Sequence, residues 1–149
     1  MKVEIRTADT AALREGAFAL RHRVFVEEQR VPAALERDAE DDVAFHVVAL
    51  EPGSGRVVGT GRLLRQVDPG GVVVGRVGRM AVDASHRRGG TGALLLAALE
   101  AEARARGLPE IELHAQCQVE GFYARAGYRR AGEVFVEAGI EHVIMRKRL

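Results

Sequence analysis

Apolar residues change their spacing several times along the chain, and each change marks an element. Met1 to Thr7 alternates polar and apolar positions, as a half-buried strand does. Ala12, Leu13, Ala17, Phe18 and Leu20 then fall at helical spacing, which predicts a helix capped by Thr7 or Asp9 and running to about His22. Arg23 to Gln29 continues from it, and Pro32 limits further helix. Leu35 to Asp42 is polar and acidic and reads as a loop or a short helical turn. Val43 to Leu50, Arg56 to Val67 and Val72 to Val82 read as three strands, joined as antiparallel hairpins by Pro52-Gly53-Ser54-Gly55 and Asp68-Pro69-Gly70-Gly71. An Ala/Leu-rich helix runs from Thr91 to about Arg106 and is closed by Gly107, with Pro109 beyond it. Glu110 to Ala115 is a short strand, and Glu120 to Ala126 a short helix ended by Gly127. Tyr128 to Glu137 and Ile140 to Arg148 form a last hairpin around Ala138-Gly139. Phe18, Phe25, Val47, Leu63 and Leu94 to Leu96 are core candidates.

This order predicts a mixed α/β sheet with helices on its faces. No repeat, low-complexity run or linker divides the chain, so residues 1–149 read as a single domain, long enough for a substantial core. Composition narrows the class without naming a function. A net charge of +1 provides no basic field for nucleic acid. The single cysteine, Cys117, excludes an internal disulfide framework, supplies no metal-ligand cluster, and fits a reducing cytoplasm. No apolar run reaches the roughly 20 residues that span a membrane, and the N-terminus does not have the pattern of a signal peptide.

The chemistry concentrates in Ser85-His86-Arg87-Arg88-Gly89-Gly90-Thr91-Gly92, between the strand-like run Val77 to Val82 and the Ala/Leu-rich helix. Free N–H groups and the positive end of the dipole at a helix start attract a phosphate. Glycines there admit positive φ and let a ligand approach the backbone. No Gly-Lys-Ser/Thr follows, so this is not a Walker loop, and Leu95 stands where a dinucleotide fingerprint wants its third glycine. On spacing alone an ordinary glycine-rich strand-to-helix turn is an equal reading. The pattern that fits is Arg/Gln-x-x-Gly-x-Gly/Ala, filled by Arg87, Arg88, Gly89, Gly90, Thr91 and Gly92.

With that motif, with Val77-Gly78-Arg79-Met80-Ala81-Val82 and with Gly121-Phe122-Tyr123-Ala124-Arg125-Ala126-Gly127-Tyr128, nearly the whole chain resembles the GNAT N-acetyltransferase superfamily. Leu20 to Gln29, Asp38, His46, His114-Ala115-Gln116 and Gly139 to His142 are similar to its ElaA-like branch. The resemblance implies a single GNAT-type domain, a mixed, mostly antiparallel sheet of about seven strands flanked by helices. It implies acetyl-CoA, or another short acyl-CoA, as co-substrate and no metal. Arg87, Arg88, Gly89, Gly90, Thr91 and Gly92 would hold the pyrophosphate, and Phe122 would lie beside the cofactor. The backbone of Met80, Ala81 and Val82 would pair with the pantetheine arm and polarise the thioester carbonyl, as an oxyanion hole does. A primary amine would attack directly through a tetrahedral intermediate, and Tyr123 would protonate the departing thiolate. By itself Tyr123 also reads as a half-buried aromatic. The fold equally admits a homodimer, a non-catalytic acyl-CoA-binding module, or an interaction domain in which the glycines are only a turn.

The acceptor side is more open. A base for the amine is sought among Glu28, His46, His114 and His142, each of which also reads as a structural or surface residue. Arg62 either pairs with Asp38 or Asp41 or binds an acidic acceptor group. The acidic run Glu36 to Asp42 either attracts a cationic amine or is solvated and distant. Cys117 reads as a small buried residue beside the expected thioester.

Overall fold

Residues 2–149 are described by a computed structural model; Met1, where the first strand was expected to begin, lies outside them. Eight strands make one sheet: β1 (Glu4–Thr7), β2 (Phe45–Leu50), β3 (Val57–Val67), β4 (Val73–Val82), β5 (Glu110–Gln116), β6 (Arg129–Arg130), β7 (Phe135–Glu137) and β8 (Ile140–Arg148). Their order is β1-β2-β3-β4-β5-β8-β6, with β7 also on β8. Every ladder is antiparallel except β4–β5. A parallel pair needs a crossover, and here α3 (Thr91–Ala105) makes it. The other helices are α1 (Ala11–Arg21), α2 (Ala33–Glu36) and α4 (Glu120–Arg125).

Several expectations shift, each for a local reason. The expected strand Tyr128 to Glu137 breaks between β6 and β7, where Gly132 has φ +148°, so the sheet has eight strands and not seven. Ala138 and Gly139 both take positive φ, +51° and +77°, and make the two-residue hairpin turn that β7 and β8 need. The cap of α1 is Thr10, whose hydroxyl accepts from the Leu13 amide at 3.2 Å; Thr7 is committed to the β1–β2 ladder opposite Val47. After α1 the chain continues as a π-helical stretch, His22–Glu28. Val43 is exposed in a turn, and β2 starts at Phe45.

The two faces of the sheet are covered unequally. On one, Leu95, Leu96, Leu99 and Ala103 of α3 pack on Val47, Leu63, Val77, Ile111 and Leu113. Leu94 turns outward and is half exposed, because three consecutive leucines cannot share one helical face. On the other, Ala17 and Leu20 of α1, with Val24, cover Val48, Val57 and Ala81. Among the described residues, no helix covers the sheet beyond β4 on that second face. No helix among the described residues is long and apolar enough to cross a membrane.

The acidic run is not distant, and Glu36 and Asp41 within it are buried while Glu40 and Asp42 stay exposed. It folds as α2 and a 3-10 turn, Ala39–Asp42, boxed by Asp38 and Asp41. Arg21, 1% exposed, donates to both oxygens of Glu36 and both of Asp41 at 2.8–3.1 Å. Arg62 pairs with Asp38 at 2.7 Å and with Asp41 at 2.8 Å, so both of its expected partners are real. His46 is buried beside them, its Nε2 bonded to the Asp41 carbonyl at 2.9 Å. Burial and the neighbouring arginines outweigh Asp41's pull, so His46 ionises less readily than a free histidine.

Burial opposes ionisation of Asp41, but hydrogen bonds from Arg21, the Asp38 amide and Arg62 overcome it and hold the carboxyl far below its ordinary value. The hydrogen bond from Arg62 lowers Asp38 as well. Both groups bind protons more weakly folded than unfolded, so their contribution is complete above the unfolded aspartate range, about pH 4, and is lost as pH falls below it. Urea midpoints are expected to drop steeply from about pH 5 to about pH 3, and Asp41→Asn is expected to flatten that drop.

Candidate active site

β4 and β5 are in register only from Gly75 to Val77 opposite Ile111 to Leu113. Beyond that point β4 stays on β3 and β5 stays on β8, so the two strands part. The cause lies in β4. Its register with β3 slips between Thr60 and Arg62, and Arg79 has φ +52°. An extra residue bends a strand away from its neighbour. Arg79 is anchored in this conformation: its Nε donates to the Glu36 carbonyl at 2.9 Å, and its guanidinium meets Glu36 and Asp38 at 3.2 and 3.3 Å. From Gly78 onward the β5-facing edge of β4 has no strand partner. The opening is a cleft of about 660 Å³, with Met80, Ala81 and Val82 on one wall.

At the end of β4, Asp83 caps a 3-10 turn, Ala84–His86, through the Ser85 amide. Arg88 and Gly90 then take positive φ, +68° and +84°, and Gly90 is the N-cap of α3 with no side-chain cap. The first N–H groups of α3 therefore have no capping acceptor. A Cβ at Gly89 would meet nothing closer than 3.9 Å, and at Gly90 nothing within 4 Å, so the space over the turn is open. Gly92 serves packing: a Cβ there would stand 3.3 Å from the Phe122 ring. An open turn, an uncapped helix start and flanking arginines suit a diphosphate. Arg87 faces this region but is engaged by Glu28 through two bonds of 2.9 Å, while its Nε donates to the Val82 carbonyl. Glu28 is thus paired to a cation and not a free base.

Tyr123 on α4 is 8% exposed, its ring edge-on to Phe122 and Tyr128. It lines the cleft, and its hydroxyl has no hydrogen-bond partner among the described residues. Burial pushes its phenol up to about 12. The chain's other tyrosine, Tyr128, instead donates to Glu100 at 2.7 Å.

The far wall follows from alternation in β5. Ile111, Leu113 and Ala115 enter the core, which sends Glu112, His114 and Gln116 to the uncovered face. His114 stands just past the last β4–β5 pair, with Nδ1 2.9 Å from Glu137 and 2.9 Å from Arg76. His142 is almost fully buried; its Nδ1 donates to the Ile140 carbonyl at 2.7 Å, and Nε2 lies 3.9 Å from Glu137. The Phe135 ring meets both imidazoles. The hydrogen bond from His114 holds the Glu137 carboxyl below its usual range. So His114 and His142 come together around Glu137, Glu28 lines the same cleft paired to Arg87, and His46 is outside it. Cys117 is half-buried and packs against the core. Glu137 and Arg76 escaped the sequence reading. The only local signals were Glu137's place beside the hairpin turn and Arg76's place opposite Val77 in the alternation of β4.

A splayed parallel pair thus leaves a free strand edge beside an open, uncapped helix start. Comparison with known proteins is more particular. A family model described as an acetyltransferase (GNAT) domain matches residues 8–149, and the chain belongs to that family. The uncharacterized N-acetyltransferase YjcF of Bacillus subtilis is 39% identical over 132 residues, covering 88% of this chain and 89% of its own. The structure of an acyl-CoA N-acyltransferase from Pseudomonas aeruginosa superposes with a TM-score of 0.81 at 31% identity, over 97% of this chain and 99% of that one. Escherichia coli ElaA gives 0.81 at 25% identity, over 97% and 99%.

Proposed function

We propose that this protein transfers the acetyl group of acetyl-CoA directly to a primary amine. The observation that carries the reading is the parting of β4 and β5 between an open glycine turn and a cleft-lining phenol without a partner. Acetyl-CoA, when bound, supplies a thioester whose carbonyl carbon is the electrophile. The turn from Arg87 to Gly92 takes the pyrophosphate, and the free edge of Met80, Ala81 and Val82 takes the pantetheine amide and the carbonyl oxygen. Tyr123 stays protonated at neutral pH and gives its proton to the thiolate as the carbon–sulfur bond breaks. His114, oriented by Glu137, takes the proton released by the attacking amine.

Gly89→Asp tests the turn without disturbing the fold, because its Cβ enters open space. Isothermal titration is expected to show micromolar acetyl-CoA binding by the wild type and binding at least tenfold weaker in the variant, with Tm unchanged. Equal binding by both would remove the pyrophosphate from this turn.

A further inference from the structure

Four arginines line the cleft: Arg62, Arg76, Arg79 and Arg87. Three of them hold carboxylates within 4 Å, Arg62 on Asp38, Arg79 on Glu36 and Arg87 on Glu28. Arg76 holds none among the described residues. Its guanidinium contacts the Gln66 side-chain oxygen at 3.3 Å and His114 Nδ1 at 2.9 Å, and Glu137 acts on it through its charge without pairing to it.

The second contact conflicts with another. His114 Nδ1 is also 2.9 Å from Glu137. A ring nitrogen either accepts through its lone pair or donates its N–H, so it cannot serve Arg76 and Glu137 together. When Nδ1 donates to Glu137, Nε2 keeps the lone pair that a base needs. In that state Arg76 loses its shorter partner and keeps only the long contact to Gln66. A half-buried guanidinium left this way calls for an anion, and its planar fork matches a carboxylate with two parallel bonds.

We propose, on the basis of the transfer reading above, that the acceptor is an amine carrying a carboxylate and that Arg76 binds that carboxylate. The bound anion draws the Arg76 guanidinium off Nδ1, which leaves His114 to Glu137 and frees Nε2 for the amine. Acceptor binding and preparation of the base are thereby one event. A carboxylate suits the cleft better than a phosphate dianion, because Glu28, Glu36, Asp38, Glu40 and Glu137 already line it.

The probes are the L-α-amino acids, β-alanine and 4-aminobutyrate, each beside its carboxamide, with O-phosphoethanolamine as the phosphate arm. Free-thiol release is followed at saturating acetyl-CoA for wild type, Arg76→Gln and Arg76→Lys. The expected result is a kcat/KM at least tenfold higher for a carboxylate-bearing amine than for its carboxamide. Arg76→Gln raises KM for that amine at least tenfold and brings its kcat/KM to within about twofold of its carboxamide's, Arg76→Lys recovers part of the loss, and both variants bind acetyl-CoA as the wild type does. Should Arg76→Gln not fold, the wild-type comparison and Arg76→Lys carry the test. Equal use of the carboxamides, preference for O-phosphoethanolamine, an unchanged KM in Arg76→Gln, or no turnover of any probe by protein that binds acetyl-CoA would each overturn the proposal. Failure to bind acetyl-CoA at all would overturn the transfer reading with it.

Discussion

Tyr123→Phe is expected to lower kcat by about a hundredfold to a thousandfold, the range in which a positioned general acid contributes. The affinity for acetyl-CoA, measured by titration, is expected to stay within about twofold, since the phenol acts on a leaving group and not on the resting donor. The substitution is unusually clean. The ring fills the same space against Phe122 and Tyr128, and the lost hydroxyl had no protein partner to orphan. A fall in kcat without a fall in Tm would therefore report chemistry. An unchanged kcat would assign the thiolate's proton to another source. A module that only binds acyl-CoA would have no turnover to lose, and the same experiment separates that alternative.

Arg21→Met is expected to cost about 3–5 kcal/mol of unfolding free energy, read from urea denaturation, because it removes the cation that two buried carboxylates share and their charge-assisted hydrogen bonds to it. Arg21 sits between Glu36 and Asp41 at the base of the network. Neither carboxylate is wholly abandoned: Glu36 keeps Arg79 and Asp41 keeps Arg62. The damage also reaches the cleft, since Glu36 anchors the arginine that holds the bend in β4. Activity corrected for the folded fraction is expected to fall as well. A loss under about 1 kcal/mol would mean that the network behaves like a surface ion pair.

What the sequence made legible was local. Pro/Gly turns on either side marked β3 and β4 because turn chemistry belongs to a few adjacent residues, and the Arg–Gly spacing marked the glycine turn because φ and open space at Gly90 are equally local. What it hid was long-range. Glu36 to Asp42 read either as a lure for a cationic amine or as solvated and distant, since nothing nearby in sequence shows that Arg21, Arg62 and Arg79 converge on it. Glu28 looked like a free acid because Arg87, its partner, is 59 positions away. Glu137 and Arg76 reach His114 only through the register of β7 on β8 and of β4 on β5. The break between β6 and β7 falls at Ala131-Gly132-Glu133, residues of low β-propensity, but only pairing with β8 shows where the ladder stops.

The bend in β4 has a mechanical consequence. A strand merely pulled from its neighbour would snap back when the ligand left, and each binding event would have to reopen it. Here the extra residue is locked in place by the hold of Arg79 on Glu36 and Asp38, and the ladder with β3 is in register on both sides of it. The seam cannot zip shut. The donor meets a standing notch, so little of its binding energy goes into prying the sheet apart.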